Sequence, residues 1–96
     1  MVIITESVQY LRTKKRLLKK HSLTEDSIEK CINLFKEDSN NNTLHYKKMT
    51  CKKDKNRYSI RVENTQYRIL MTVTENEVFL LCICSHDDYD RINKDC

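Results

Sequence analysis

Residues 57–84, RYSIRVENTQYRILMTVTENEVFLLCIC, decide the fold. Apolar and polar side chains alternate along 58–62 and again along 68–73, as half-buried antiparallel strands require. The run 78–84 is apolar without interruption, which predicts a central strand buried on both faces. Short polar segments join the three strands, so the sequence predicts an antiparallel meander.

Upstream of this sheet, the first helical segment follows a short predicted strand at Val2–Ile4. Residues 6–20 have helical periodicity, and Thr5 is the candidate N-cap. The expected apolar face consists of Val8, Leu11 and Leu18.

The second helix has a clearer start. Thr24 can cap its N-terminus, and Leu23 and Ile28 lie where a hydrophobic staple needs them. From Ile28 an i, i+3, i+4, i+7 pattern continues through Cys31, Ile32 and Phe35. We expect this helix to end near Ser39, where the polar connector 39–43 begins.

Together these elements predict a single α+β domain over residues 1–96. A short N-terminal strand precedes two helices, which pack on an antiparallel sheet of three to four strands. The predicted core between helices and sheet consists of Ile28, Ile32, Phe35, Ile60, Val62, Ile69, Met71, Phe79 and Leu81.

Composition narrows the class of protein. Apolar residues make up 39% of the chain and charged residues 33%, which suits a modest core under a highly charged surface. The N-terminus lacks the pattern of a secretory signal, and no apolar run is long enough to span a membrane. The sequence therefore predicts a soluble, cytoplasmic protein.

Cysteine and glycine usage give two further expectations. The five cysteines form no C-x-x-C pair and the histidines do not cluster, which predicts free thiols and neither a disulfide framework nor a metal site. Because the chain has no glycine, positive backbone φ should fall to asparagine or aspartate. The candidates are Asn40, Asn41, Asn42, Asn56, Asn64 and Asn76.

Positive charge is concentrated in two segments. Residues 1–21 hold six Lys and Arg against one acid, and residues 44–61 hold seven against one. Such surfaces attract phosphates by counterion release, although a solvated face without a ligand has the same charge pattern.

The run NRYSIRVENTQYRILMTVTENEVFLLCICSHDDY, residues 56–89, resembles the sheet region of the RelE/ParE toxin superfamily. There a Y-x-I-R-V strand leads into Y-R-I, a hairpin, and an apolar strand that ends in His or Lys before polar residues and a Tyr. The resemblance covers residues 56–92, and the two helices agree in order and length. It implies a toxin of a type II toxin–antitoxin system, with a cognate antitoxin, mRNA and the ribosome as partners and no cofactor.

The resemblance also implies an active site. Arg68 matches the arginine of Y-R-I, which in RNA-cutting members holds the scissile phosphate, a role that suits its planar guanidinium. The alternative is an arginine paired with Glu63 or Glu77 on the sheet surface. His86 follows the apolar strand and is the candidate acid or base for the 2′-hydroxyl or the departing 5′-oxygen. Tyr89 matches the closing tyrosine of the motif, which stacks on a base or contacts the reacting hydroxyl.

His86 and Tyr89 also have simpler explanations. His86 can pair with its neighbours Asp87 and Asp88, and Tyr89 can be a packing residue. Arg91 is a candidate second phosphate ligand. The other candidate RNA-binding residues lie around the first long strand, where the superfamily places lysines for the RNA backbone, and are His45, Lys47, Lys48, Lys52, Lys53 and Arg61.

The C-terminal motif departs from the superfamily pattern. Many RNA-cutting members have a Gly before this motif and an Arg directly after the His, whereas this chain has Ser85 and Asp87. The leading hypothesis is a metal-independent, ribosome-dependent endoribonuclease. The alternatives are a non-enzymatic gyrase inhibitor of the ParE type and a catalytically degenerate RelE-like binding protein.

Overall fold

The computed structural model describes residues 3–49 and 51–85. Their elements, in chain order, are strand β1 (Ile3–Glu6), helices α1 (Val8–Lys19) and α2 (Glu25–Glu37), a 3-10 turn (Asn42–Leu44), and strands β2 (Lys47–Lys48), β3 (Arg57–Arg61), β4 (Tyr67–Val73) and β5 (Glu77–Ser85). The predicted α+β class, two helices packed on a sheet, is confirmed.

Within these residues the sheet has five strands, in the order β1-β5-β4-β3-β2. β1 runs parallel to β5, and the other neighbours are antiparallel. The count exceeds the predicted three to four because the predicted N-terminal strand joins the sheet as β1, beside β5. Strand β2 has only two residues, too few for a period-two pattern to be recognised.

Both helices contribute to the core on one face of the sheet. Phe35 is buried there at 8% exposure, as predicted. The other members of the predicted core on this face are Ile28, Ile60, Val62, Ile69 and Met71, which are buried, and Ile32, which is partly buried.

Two residues of the predicted core, Phe79 and Leu81, lie outside it. Phe79 is 40% exposed, and Leu81 is only half-buried. The pairing of β4 with β5 skips Leu81, which is the extra residue of a β-bulge, so Leu80 and Ile83 both enter the core although they are three residues apart. An uninterrupted apolar run does not signal which of its residues face the helices, and a bulge changes the alternation within it.

Helix α1 begins later than predicted and buries a different face. Its N-cap is Ser7 rather than Thr5, and Tyr10 and Leu17 are its buried residues. Of the residues predicted to face the core, Val8 is 67% exposed and Leu11 is 47% exposed, whereas Leu18 is partly buried against the core. The prediction failed because it followed the aliphatic side chains, whereas the core takes up the large ring of Tyr10.

Helix α2 matches its prediction closely. Thr24 is the N-cap and forms a capping box with Ser27, and the staple residues Leu23 and Ile28 are both buried. The helix ends at Glu37, close to the expected end.

Helix α1 also covers the outer edge of β5 beyond the end of β1. The Ser7 hydroxyl donates to the carbonyl of Leu81 at 2.9 Å, and the Ile83 amide donates to the Thr13 hydroxyl at 3.0 Å. These hydroxyls take the place of a neighbouring strand, so the second half of β5 is held in the sheet up to Ser85.

Positive φ occurs at three described residues, and the prediction was correct for Asn64 alone. Asn64 (φ 61°) lies in the turn between β3 and β4, while His21 (58°) follows α1 and His45 (48°) follows the 3-10 turn. The asparagine rule missed both histidines, which also tolerate this conformation better than most residues.

The cysteines also differ in part from expectation. Cys31, Cys82 and Cys84 are free and buried, as predicted. Cys51 is disulfide-bonded, so the prediction of free thiols throughout was wrong. Spacing along the chain could not reveal this bond, because a disulfide depends on proximity in the fold.

Candidate nucleic-acid interface

The sheet has a second side, which faces away from the helices, and we call it the distal face. On β3 it carries Arg57, Ser59 and Arg61, and on β4 it carries Arg68, Leu70 and Thr72, because these residues alternate with those of the core. Phe79, Cys82 and Cys84 of β5 lie on the same side.

Two arginines lie side by side at one end of the distal face. Arg61 and Arg68 are direct cross-strand partners in the antiparallel pairing of β3 and β4. Arg61 is exposed, and its Nε donates to the carbonyl of Thr65 at 3.0 Å, which fixes the orientation of its guanidinium. Two neighbouring guanidinium groups offer several N–H donors in planar forks, so this arginine pair is suited to binding a phosphate.

The end of β5 lies next to this arginine pair. Arg68 is paired with Cys84, and Tyr67 with Ser85, the residue directly before His86 in the sequence. The start of β4 and the end of β5 are thus neighbours, as the predicted site requires. His86, Tyr89 and Arg91 themselves lie outside the described residues, so their places in the site stay predictions.

The register argues against one alternative partner of Arg68. Glu77 begins β5 at its opposite end, since Val78 pairs with Val73 at the far end of β4. At about 3.4 Å per strand residue, five positions along β4 place Glu77 roughly 17 Å or more from Arg68.

Beside the arginine pair, Cys82 and Cys84 form a buried thiol pair on β5. The hydrogen bond from Cys84 lowers the pKa of the Cys82 thiol, and the charge of Arg57 acts in the same direction, against the opposing effect of burial. Both thiols pack with Leu70 in a small apolar cluster.

The candidate lysines do not all share the distal face. Lys47 pairs with Ser59 and lies on that face, whereas its neighbour Lys48 pairs with Tyr58 and points to the helix side. Lys52 and Lys53 are exposed in the loop between β2 and β3.

His45, the remaining candidate of this group, is exposed on the chain between α2 and β2. It lines a small cavity of about 210 Å³ together with Arg61 and Glu63. The fold therefore brings His45 close to Arg61, one member of the arginine pair, although His45 and Arg61 lie in different elements of the chain.

Asp54 is a residue of this region that the sequence prediction missed. Its carboxylate accepts hydrogen bonds from the Thr72 hydroxyl at 2.6 Å, the Asn56 amide at 2.9 Å and Arg57 Nε at 3.3 Å. Burial alone would raise the pKa of this carboxyl, but the three hydrogen bonds outweigh it and hold the pKa below its ordinary value. One signal was available, because Asp54 is the single acid among the seven Lys and Arg of residues 44–61.

A family model of the ParE-like toxin domain matches residues 29–91. The chain belongs to this family. The resemblance to the RelE/ParE superfamily, based on residues 56–92, is thereby confirmed. A search of curated proteins by sequence finds no match.

Solved structures share the fold of this ParE-like domain. YafQ from E. coli strain BL21(DE3) superposes with a TM-score of 0.75 at 12% identity, covering 93% of this chain and 98% of YafQ. The E. coli DinJ–YafQ complex gives 0.78 at 13% identity, covering 92% and 97%. The YoeB dimer from Staphylococcus aureus gives 0.58 at 23% identity, covering 88% and 95%. At such identities the likeness shows a shared fold.

Two features are absent from residues 3–49 and 51–85 of the ParE-like domain. Neither helix is long and apolar enough to cross a membrane. No group of three or more His, Cys, Asp or Glu side chains in this part of the chain is arranged to hold a metal ion.

Proposed function

We propose that this ParE-like protein is the toxin of a type II toxin–antitoxin system and cuts mRNA on the ribosome. The observation that carries the proposal is the cross-strand pair Arg61 and Arg68 on the distal face, beside the end of β5 that leads to His86. The likeness to YafQ and YoeB supports it, since one solved structure holds YafQ together with DinJ.

The chemistry assigned to the site is transfer of the phosphate to the neighbouring 2′-hydroxyl. The 2′-oxygen attacks phosphorus, the bond to the 5′-oxygen breaks, and the products are a 2′,3′-cyclic phosphate and a 5′-hydroxyl. Arg68 holds the phosphate and stabilises the charge of the five-coordinate state, with Arg61 beside it. His86 moves the proton to or from the reacting oxygens, and Tyr89 contacts the base or the hydroxyl.

The loop between β2 and β3, which we call the basic loop, supplies the remaining contacts in this proposal together with Lys47 of β2. Lys47, Lys52 and Lys53 bind backbone phosphates and set the position of the RNA without reading its sequence. Lys48, on the helix side, and His45 and Arg91 complete the proposed RNA-binding set. The loop surface is positively charged, which also raises the rate of encounter with RNA.

The proposed partner that inhibits the toxin is an antitoxin segment bound to α1. This helix contains no acidic residue, and Arg12 and Lys15 lie on its exposed side. Val8 and Leu11 are exposed beside them at 67% and 47%. An acidic amphipathic segment complements this combination of charge and apolar surface.

Mapping mRNA 5′ ends by primer extension after induction tests the proposal. The wild-type protein should produce discrete new ends inside reading frames, and Arg68→Ala should abolish them. Lys36→Ala, which removes one exposed positive charge from α2, is the matched control and should cut like the wild type. Arrest of growth by Arg68→Ala with unchanged cleavage would show that Arg68 is not the phosphate clamp.

The second candidate is a gyrase inhibitor of the ParE type, and two observations favour it. The matching family model is that of the ParE-like toxin domain, and Asp87 follows His86 where RNA-cutting members often have Arg. In that case induction stops DNA replication, and mRNA stays intact.

A further inference from the structure

The loop between β2 and β3 contains an acid that does not suit an RNA-binding surface. Lys52, Lys53 and Lys55 are exposed there, and Asp54 lies among them. A free carboxylate at this position would repel phosphates and cancel part of the charge of the loop. Its presence therefore calls for a role other than contact with the ligand.

The side chain of Asp54 turns away from solvent and toward the sheet. It is 18% exposed, and its ion-pair partner Arg57 is 17% exposed. One carboxylate oxygen accepts from Thr72 and Arg57, and the other accepts from the Asn56 amide. The negative charge is thus neutralised at the sheet surface, while the three lysines stay in solvent.

These contacts join the loop to the strand that carries the proposed phosphate clamp. Thr72 lies on β4 four residues after Arg68 and on the same distal face, about 13 Å along the strand. Beside it, the Val73 amide donates to the Asn56 carbonyl at 2.9 Å. One rigid strand therefore sets the distance between the lysines and Arg68.

We propose that Asp54 and Thr72 are positioning residues, which hold the basic loop at a fixed place so that its lysines and Arg68 bind one RNA strand together. This inference rests on the proposed function, because it takes RNA as the ligand. Asp54 and Thr72 do not touch RNA themselves. They act by keeping Lys52, Lys53 and Lys55 in register with the arginine pair.

The test is the salt dependence of RNA binding by full-length variants. The probe is a short fluorescein-labelled single-stranded 2′-O-methyl RNA, which keeps the phosphates and cannot be cut by 2′-hydroxyl attack. For a single strand the logarithm of the binding constant falls with the logarithm of salt concentration by about 0.7 per phosphate contact. Loss of three lysine contacts should therefore reduce the slope by about 2.

Thr72→Val removes the hydroxyl and keeps the β-branched shape that a strand favours. We expect its slope to fall by about 2, and the triple variant K52A/K53A/K55A should show the same fall. Adding Thr72→Val to the triple variant should then change the slope no further, since the lysines it positions are already gone. Thr72→Ser keeps the hydroxyl and should restore the wild-type slope.

Three other outcomes each count against the inference. A wild-type slope in Thr72→Val, together with a reduced slope in the triple lysine variant, overturns the positioning role and leaves the proposed function intact. If Thr72→Val lowers the slope of the triple lysine variant further, the effect of Thr72→Val arises in another part of the protein. If RNA binding by the wild-type protein does not depend on salt, both the proposed function and this inference are wrong.

The folding of Thr72→Val is checked by circular dichroism. Hydrogen exchange is measured at the Asn56 amide, which donates a hydrogen bond to the Asp54 carboxylate. Faster exchange of this amide with unchanged helix content is the expected result. If Thr72→Val does not fold, Asp54→Asn replaces it, because an uncharged amide cannot form the ion pair with Arg57 and has one acceptor oxygen where the carboxylate uses two. The same slopes then decide the outcome.

Discussion

The two phenylalanines of the chain give a direct test of the fold. The sequence predicts both in the core, whereas the structure buries Phe35 at 8% exposure and leaves Phe79 at 40% on the distal face. Phe35 also meets the ring of Tyr46 edge to face, with centroids 5.4 Å apart. Removing this ring leaves a cavity between α2 and the sheet.

Phe35→Ala should therefore lower the free energy of unfolding by about 3–5 kcal/mol, from the lost transfer energy and the cavity together. Small domains have only about 5–15 kcal/mol in total, so the variant should lose a large part of its stability. In a domain of this size each 1 kcal/mol lowers Tm by about 4–8 °C, which gives a fall of at least about 12 °C.

Phe79→Ala is the matched control, because it makes the same chemical change at an exposed position. Its cost should stay below about 1 kcal/mol. Urea denaturation followed by circular dichroism measures both values. Equal costs for the two variants, or a larger cost for Phe79→Ala, would refute the packing described for α2 and β5.

Three further predictions follow from charge and burial. Because the pKa of Asp54 is lowered in the folded state, the stability that Asp54 adds relative to Asp54→Asn should be complete above the ordinary pKa of about 3.9. This added stability should disappear as pH falls through the lowered pKa of Asp54. Thermal melts measure it, and a difference in Tm between the wild type and Asp54→Asn that does not change with pH would contradict the prediction. The Tyr10 hydroxyl is buried without a hydrogen-bond partner in the described part of the chain, so Tyr10→Phe should leave stability unchanged or raise it by up to about 1 kcal/mol. Chemical denaturation measures this, and a clear loss would show that the hydroxyl has a partner. The double variant Val8→Asp, Leu11→Asp should weaken antitoxin binding by about tenfold or more, and added salt should weaken the wild-type complex. If neither the double substitution nor salt changes the affinity, the antitoxin binds elsewhere.

The sequence was most informative where local signals and burial agree. Thr24 and Leu23 marked the start of α2 correctly because a cap and a staple are encoded within a few residues. The alternation of 58–62 and 68–73 assigned the faces of β3 and β4, because one side of each strand is core and the other carries arginines.

The errors arose where tertiary contacts decide the outcome. The face of α1 depends on the room that the core has for Tyr10, and the face of β5 depends on a bulge at Leu81. Neither is visible in local periodicity. The disulfide at Cys51 likewise depends on proximity in the fold, which spacing along the chain does not show.

For the candidate site, the resemblance gave Arg68 its role, and strand pairing then placed Arg61 directly beside it. Periodicity alone shows that both arginines alternate with core residues, but it does not fix the register that makes them neighbours. Asp54 was missed because its role depends on Thr72, which is 18 residues away in sequence.

The chemistry of the RNA ends tests most directly whether the protein cuts mRNA on the ribosome. Purified protein is added to ribosomes that carry an mRNA, and the products are analysed for their termini. The wild-type protein should produce mRNA fragments with a 2′,3′-cyclic phosphate and a 5′-hydroxyl, and Arg68→Ala should produce none. If the mRNA on those ribosomes stays intact at a protein concentration that arrests DNA replication, the proposed function is wrong.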